Sequence, residues 1–318
     1  ATSLSVQETL QRLFGGEEFR SMTPGPAVRI GSAIVREYPF FRLERQIYRG
    51  VEEARVNASR ADVPDRERWQ TELKRIIRDR AIETLFQPLV DLDRGSIIGY
   101  EAFSRGPHAS DFEMPDHLFE RSRQIGMSGE LDRICQRAAL KKARGLGSQD
   151  KLFINALPDS LSDPCFREAL LAGLPEDFPV CRNNIVLEIA DRHMVRDCEA
   201  FSTEVNDLRA QGFRMSIDDV GKSSTSLESL TELRPDFIKV DGSLIRNIHK
   251  NLIKQELVRS LCHAAGTMNA QIIAEGIETR EELSVARQCG ARIGQGYFFY
   301  RPSREIPVRR IKRDRAGM

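Results

Sequence analysis

The chain has 318 residues, with 48 Lys and Arg set against 47 Asp and Glu for a formal net charge of +1. That balance excludes a global field for DNA or a membrane surface, so recognition must rest on local charge. No apolar run reaches the ~20 residues of a bilayer span, and no charged start leads into an apolar stretch, so a soluble, cytoplasmic chain is the expectation.

The length accommodates one large α/β barrel with an appendage, or two domains. Cys135, Cys165, Cys181, Cys198, Cys262 and Cys289 form no C-x-x-C pair and have no His at ligand spacing. They argue against structural zinc and for reduced thiols. The chain opens on Ala1 and not Met, which leaves open a fragment of a longer protein.

In chain order, Leu4, Leu10, Leu13 and Phe14 predict a short amphipathic helix, and 27–35 a strand. Two helices rich in Arg and Glu follow at 43–61 and 64–80, with Ile47, Val51, Trp69, Leu73, Ile76 and Ile77 at helical spacing. Residues 1–80 thus read as a small N-terminal α/β or helical module with a helical connector.

From residue 81 to 304 strands and helices alternate. The strands are expected at 84–90, 96–103, 152–157, 185–189, 215–220, 237–240, 271–274 and 293–299. The helices are expected at 115–146, 166–172, 198–211, 227–233, 252–268 and 279–289. Such alternation fits a TIM-like β/α barrel. Only 91–95 joins the first two strands, too short for a crossover helix, so those two pair antiparallel. The segment 305–318 reads as a basic, solvated tail, with contact to nucleic acid or a partner as the alternative.

In such a barrel, polar residues at strand C-termini converge on one mouth. The strand ends supply Glu101, Asn155, Glu188, Asp218 with Asp219, Lys239 with Asp241, Glu275 with Glu278, and Gln295. Singly, each has an ordinary explanation as a cap, a turn residue or a snorkelling cation. Together they place many oxygen ligands at one rim without a His or Cys cluster, which suits Mg²⁺ or Mn²⁺ and not zinc. Carboxylates with one Lys point to metal-assisted hydrolysis of a phosphate ester, with one ion or two about 4 Å apart. Lys239 would orient the water or stabilise the anionic transition state, and Arg105 would hold a phosphate. Enolisation with Lys239 as base is the runner-up chemistry.

Glu101-Ala102-Phe103-Ser104-Arg105 resembles the signature of the EAL domains, phosphodiesterases of cyclic di-GMP. The resemblance continues in order through Phe86-Gln87-Pro88, Phe153-Ile154-Asn155, Leu187-Glu188-Ile189, Ile217-Asp218-Asp219, Phe237-Ile238-Lys239-Val240-Asp241, Ile273-Ala274-Glu275-Gly276-Ile277-Glu278-Thr279 and Gln295-Gly296-Tyr297. It implies a barrel whose first strand runs antiparallel, and metal-dependent cleavage of cyclic di-GMP to linear pGpG. It further implies Glu101, Asn155, Glu188, Asp218, Asp219 and Glu275 as ligands of two Mg²⁺ or Mn²⁺ ions, with Asp218 bridging. Lys239 would assist the nucleophilic water. Gln87, Arg105 and Gln295 would contact substrate, Glu278 would support the site, and homodimerisation would be an option.

Three departures from the family pattern are visible. Phe103 stands where the signature has Leu, the loop from Val220 to Ser226 has Lys222 and lacks a Tyr, and Ala190-Asp191 replaces Thr-Glu. They predict a competent but slow or conditionally active enzyme, or, as the alternative, an impaired cyclic di-GMP receptor acting through protein contacts. A pure interaction module that binds no nucleotide is the third reading. Gly15-Gly16-Glu17-Glu18-Phe19 resembles the GGDEF signature of diguanylate cyclases, as a decayed remnant too short to be active.

Overall fold

The computed structural model describes residues 63–163, 180–190, 198–221 and 227–307. The elements expected within 1–61, the GGDEF-like stretch, the helix at 166–172, Asp191, Lys222 with its loop, and the basic tail from 308 onwards lie outside the described residues. The chain divides into two compact units, Ala1–Lys74 and Arg75–Met318. Helix α1, Val63–Arg78, runs through that division.

Eight strands close into a barrel in sequence order. They are β1 (Glu83–Asp91), β2 (Ile97–Arg105), β3 (Lys151–Asn155), β4 (Ile185–Ala190), β5 (Arg214–Val220), β6 (Phe237–Val240), β7 (Gln271–Ala274) and β8 (Ile293–Gly294). β1 pairs antiparallel with both β2 and β8, as the short 91–95 link requires. The other pairs are parallel.

The described helices are α2 (Pro115–Gln124), α3 (Ser128–Lys142), α4 (Pro158–Ser162), α5 (Cys198–Ala210), α6 (Leu227–Leu233), α7 (Gly242–Ile245), α8 (Leu252–Thr267) and α9 (Arg280–Gln288). α3 buries Leu131, Cys135 and Ala139, spaced four apart, and so turns one face to the strands. The outward residues of the strands, such as Ile154, Leu187, Met215, Ile217 and Ile238, pack with the helices in the main core. Among the described residues no helix is long and apolar enough to cross a membrane.

Three boundaries differ from the sequence reading. The expected helix 115–146 is two helices, broken at Gly126, whose φ of +71° suits a residue without Cβ. β3 stops at Asn155, short of the expected 157, and Pro158 starts α4 in its first turn. β8 is only two residues long, where a strand to 299 was expected. Beyond it the chain presses Gly296 against the 277 backbone, where a Cβ would lie 2.1 Å from the Ile277 carbonyl oxygen. Phe299 and Tyr300 then donate backbone hydrogen bonds to the Gly296 carbonyl, closing a turn in place of a ladder.

Candidate active site

The inside of the barrel is built in layers. Leu89, Phe153, Val186, Phe237, Ile273 and Ile293 form a separate apolar cluster, with the Phe153 and Phe237 rings edge to face at 5.1 Å. Burying each such side chain contributes about 1.5–3 kcal/mol, so this layer is a sealed floor. Side chains on a strand return to the same face every second residue. Two positions beyond the floor therefore stand Asn155, Glu188, Lys239, Glu275 and Gln295, with Asp218 in the same layer of β5. In β1, which runs the other way, Gln87 lies two positions before Leu89.

Lys239 is the centre of this layer and is 1% exposed. Its Nζ lies 3.0 Å from Glu101 Oε2, 3.1 Å from Glu188 Oε1, 3.5 Å from Asp218 Oδ1 and 2.9 Å from Glu275 Oε1. Burial alone would lower the lysine pKa, but the four carboxylates, Asp218 foremost, overcome it and hold it well above the usual range. The surrounding negative charge thus favours the ammonium form of Lys239. Burial, then repulsion from Glu101, pushes Glu188 well above the carboxylate range; burial and then Asp218 do the same to Glu275. Neither carboxylate oxygen of Glu188 accepts a hydrogen bond of good geometry, Lys239 notwithstanding.

A chain of amides braces Glu101. Gln87 Nε2 donates to the Tyr300 carbonyl at 2.8 Å, and Gln295 Nε2 donates to Gln87 Oε1 at 3.0 Å and to Glu101 Oε2 at 2.8 Å. Gln295 Oε1 is buried and unpartnered. Asn155 Nδ2 reaches Glu101 Oε1 at 3.5 Å.

The Asp218-Asp219 pair sits where the β5–β6 register breaks between Ile217 and Val220. Asp219 has φ +60°, a conformation that Asp tolerates better than most residues, and its N–H donates to Asp218 Oδ1 at 2.7 Å. Both carboxylates line the same cavity, although successive residues of a regular strand would face opposite sides.

A cavity of about 1020 Å³ opens beside this layer, lined by Glu101, Phe103, Arg105, Asn155, Asp218 and Asp219 among others. Arg105 donates to the Ser104 carbonyl and lies 5.9 Å from the centre of the Phe103 ring. The structure thus gathers Glu101, Glu188, Asp218, Lys239, Glu275, Gln87 and Gln295, with Asn155 at the edge and Arg105 and Asp219 on the cavity wall.

Two strand-end acids stand apart from that group. Glu278 is paired with Arg246 at 3.0 Å and is 43% exposed. Asp241 caps α7 by accepting from the Ser243 N–H at 2.8 Å.

Sequence reasoning passed over three buried polar residues. Glu282 accepts the N–H groups of Asn247, Glu278 and Thr279. Burial alone would raise its pKa, but these bonds more than offset that and hold it low. The Thr279-x-x-Glu282 spacing of a capping box was its readable signal. Asp132 and Gln136, one turn apart on α3, also line the cavity. Polar residues on an apolar helix face were the only hint of them.

Among the described residues no group of three or more His, Cys, Asp or Glu side chains is spaced as a metal cage, and Glu101, Glu188, Asp218 and Glu275 all face Lys239.

The family model for the EAL domain matches residues 70–302, so residues 1–69, with the GGDEF-like stretch, lie outside the match. Probable cyclic di-GMP phosphodiesterase PdeG of Escherichia coli K12 is 25% identical over 245 residues, 75% of this chain and 48% of the relative. The chain spans about half or less of the length of the curated relatives it matches. Among solved structures, EAL enzyme Bd1971 in its cAMP- and cyclic-di-GMP-bound form superposes with a TM-score of 0.69 at 25% identity, covering 83% of this chain and 74% of that one. The manganese and cyclic di-GMP complex of Klebsiella pneumoniae BlrP1 gives a TM-score of 0.62 at 28% identity, covering 70% of this chain and 56% of that one.

Proposed function

Because this chain belongs to the EAL domain family, we propose that it is a phosphodiesterase that hydrolyses cyclic di-GMP to linear pGpG with a divalent cation. The observation that carries this reading is the Lys239 layer. Four carboxylates surround one ammonium, and the deepest of them, Glu188, has no good hydrogen-bond donor. A buried oxygen-rich site with surplus negative charge fits a hard cation such as Mg²⁺ or Mn²⁺. The BlrP1 complexes with calcium or manganese are consistent with that donor set.

Glu101, Asn155, Glu188, Asp218, Asp219 and Glu275 would hold the divalent cation, with room in that donor set for two. Bound there, the metal would acidify a water and neutralise charge on the phosphoryl oxygens. Lys239, fixed as an ammonium, would donate to the attacking water or to the developing oxyanion. Arg105, on the cavity wall, would take the phosphate that is not cleaved. Gln87 and Gln295 would keep Glu101 oriented and offer the free Gln295 oxygen towards substrate. Glu278 would act from outside, by holding Arg246. In the net reaction, water adds to phosphorus, one P–O3′ bond breaks, and a proton ends on the 3′ oxygen.

The sequence departures at Lys222 and Ala190-Asp191 favour a second reading, in which the chain binds cyclic di-GMP without cleaving it. Incubation with cyclic di-GMP and Mg²⁺ or Mn²⁺, with a chelator control, separates the two. Metal-dependent pGpG supports the enzyme. Nucleotide that binds in a calorimeter but stays intact supports the receptor. The free thiols of Cys135 and Cys289, both buried, suit a reducing cytoplasm, and a homodimer, tested by light scattering, accords with the family resemblance.

A further inference from the structure

The polypeptide leaving β3 is pinned at three successive residues. The Asn155 carbonyl accepts from Gln136 Nε2 at 3.2 Å. The Ala156 N–H donates to the Glu188 carbonyl at 2.8 Å. The Leu157 N–H donates to Asp132 Oδ2 at 3.1 Å, and that same oxygen accepts from Gln136 Nε2 at 3.2 Å. Two of these three anchors come from α3, and both Asp132 and Gln136 are 2% exposed.

Ordinary capping explains only part of this arrangement. α4 begins after Leu157, whose side chain supplies no cap, so a carboxylate on another helix takes the first orphan N–H. Gln136 touches no N–H of α4. Its amide bridges Asp132 to the carbonyl of Asn155, whose side chain lies at the long limit of contact with Glu101, 3.5 Å. A displacement of a few tenths of an ångström in the β3 exit would break or tighten that contact. Asp132, Gln136, Asn155 and Glu101 all line the same cavity. Burial pushes the Asp132 carboxyl up to about 7 against the pull of the Leu157, Ser160 and Gln136 bonds.

We infer that Asp132 and Gln136 are positioning residues, which clamp the backbone at Asn155–Leu157 and thereby set the reach of the Asn155 side chain towards the metal-holding carboxylates. The inference rests on the proposed function for the role of Asn155, whereas the clamp itself rests on geometry alone. Groups that orient a ligand typically change metal affinity 10–100-fold when removed.

The test is a double-mutant cycle on the full chain, read by Mn²⁺ affinity in a calorimeter, with amide exchange over 152–162 as a second measurement. Gln136→Leu keeps volume and removes both donors, and is expected to weaken Mn²⁺ about tenfold or more. Asp132→Asn retains an oxygen that can accept both bonds and should stay close to wild type. In the Asn155→Ala background, Gln136→Leu should add no further loss, since its effect passes through Asn155. Equal losses in both backgrounds, or no loss in either, would overturn the inference. Wild-type protein that binds no Mn²⁺ would sink the proposed function instead, and exchange would then decide the clamp. Faster exchange at 155–160 in Gln136→Leu, with the other strands unchanged, upholds it, and unchanged exchange removes it.

Discussion

Lys239 and Glu188 pull in opposite directions, and their variants should separate stability from chemistry. Replacing Lys239 with Ala leaves two buried carboxylates, Glu101 and Glu188, and two half-buried ones, Asp218 and Glu275, with no cation among them. Breaking such a cluster costs about 3–5 kcal/mol, so the chelated protein should unfold at markedly lower urea. With metal, nucleotide binding should persist while kcat falls about 100-fold or more, the scale of losing one oriented donor. A Lys239→Ala protein that turns over normally would remove the lysine from the mechanism. Glu188→Gln should do the reverse. It relieves burial of a charge crowded by Glu101 and Asp218, so the chelated protein should melt higher than wild type, while the rise in melting temperature on adding Mn²⁺ shrinks. A lower melting temperature in chelator would show that Glu188 is not strained as described.

The elements place these groups through small irregularities. The 219 conformation and the broken register of β5 aim two carboxylates from one strand end, and the early finish of β8 lets Gln295 lean over the floor. Gly296 is the tightest of these points. Gly296→Ala would drive a methyl into the 277 backbone, where only chain movement can relieve it. The expected result is a loss of several kcal/mol by urea titration, together with loss of the Gln87–Gln295–Glu101 chain. A variant as stable as wild type would mean that the 294–300 turn is softer than its contacts imply.

At the scale of the molecule, the barrel was legible because strand-sized apolar runs alternate with helix-sized ones, and the 91–95 link dictated the antiparallel start. The Lys239 layer was legible too, since most of its members lie at or next to a strand end and the period of two points them inward, although Gln87 and Glu101 sit mid-strand in the long β1–β2 pair. Helix breaks and helix-borne polar groups were not. Asp132 in sequence is an ordinary acid inside a charged helix, and only the fold brings it under the 157 N–H. Its consequence is a pH dependence of stability. The folded carboxyl, raised from 3.8 to about 7, holds its proton more tightly than the unfolded one. This contribution is therefore full below about pH 4 and lost as pH rises through 7, on the order of 4 kcal/mol. Asp132→Asn should match wild type near pH 4 and melt higher at pH 8. Parallel melting curves across that range would contradict the burial cost assigned to it.

The reversal of β1 has a mechanical corollary. Where all strands run one way, a barrel takes its polypeptide in at the sealed floor. Here Glu83 opens β1 opposite Arg105, at the rim of the mouth. Arg304, after the last strand, bridges to the same Glu83 at 2.7 Å, and Ser303 exchanges backbone hydrogen bonds with Phe86. The incoming and outgoing threads are thus tied together at the lip of the barrel mouth, beside Arg105 and the strand that carries Glu101.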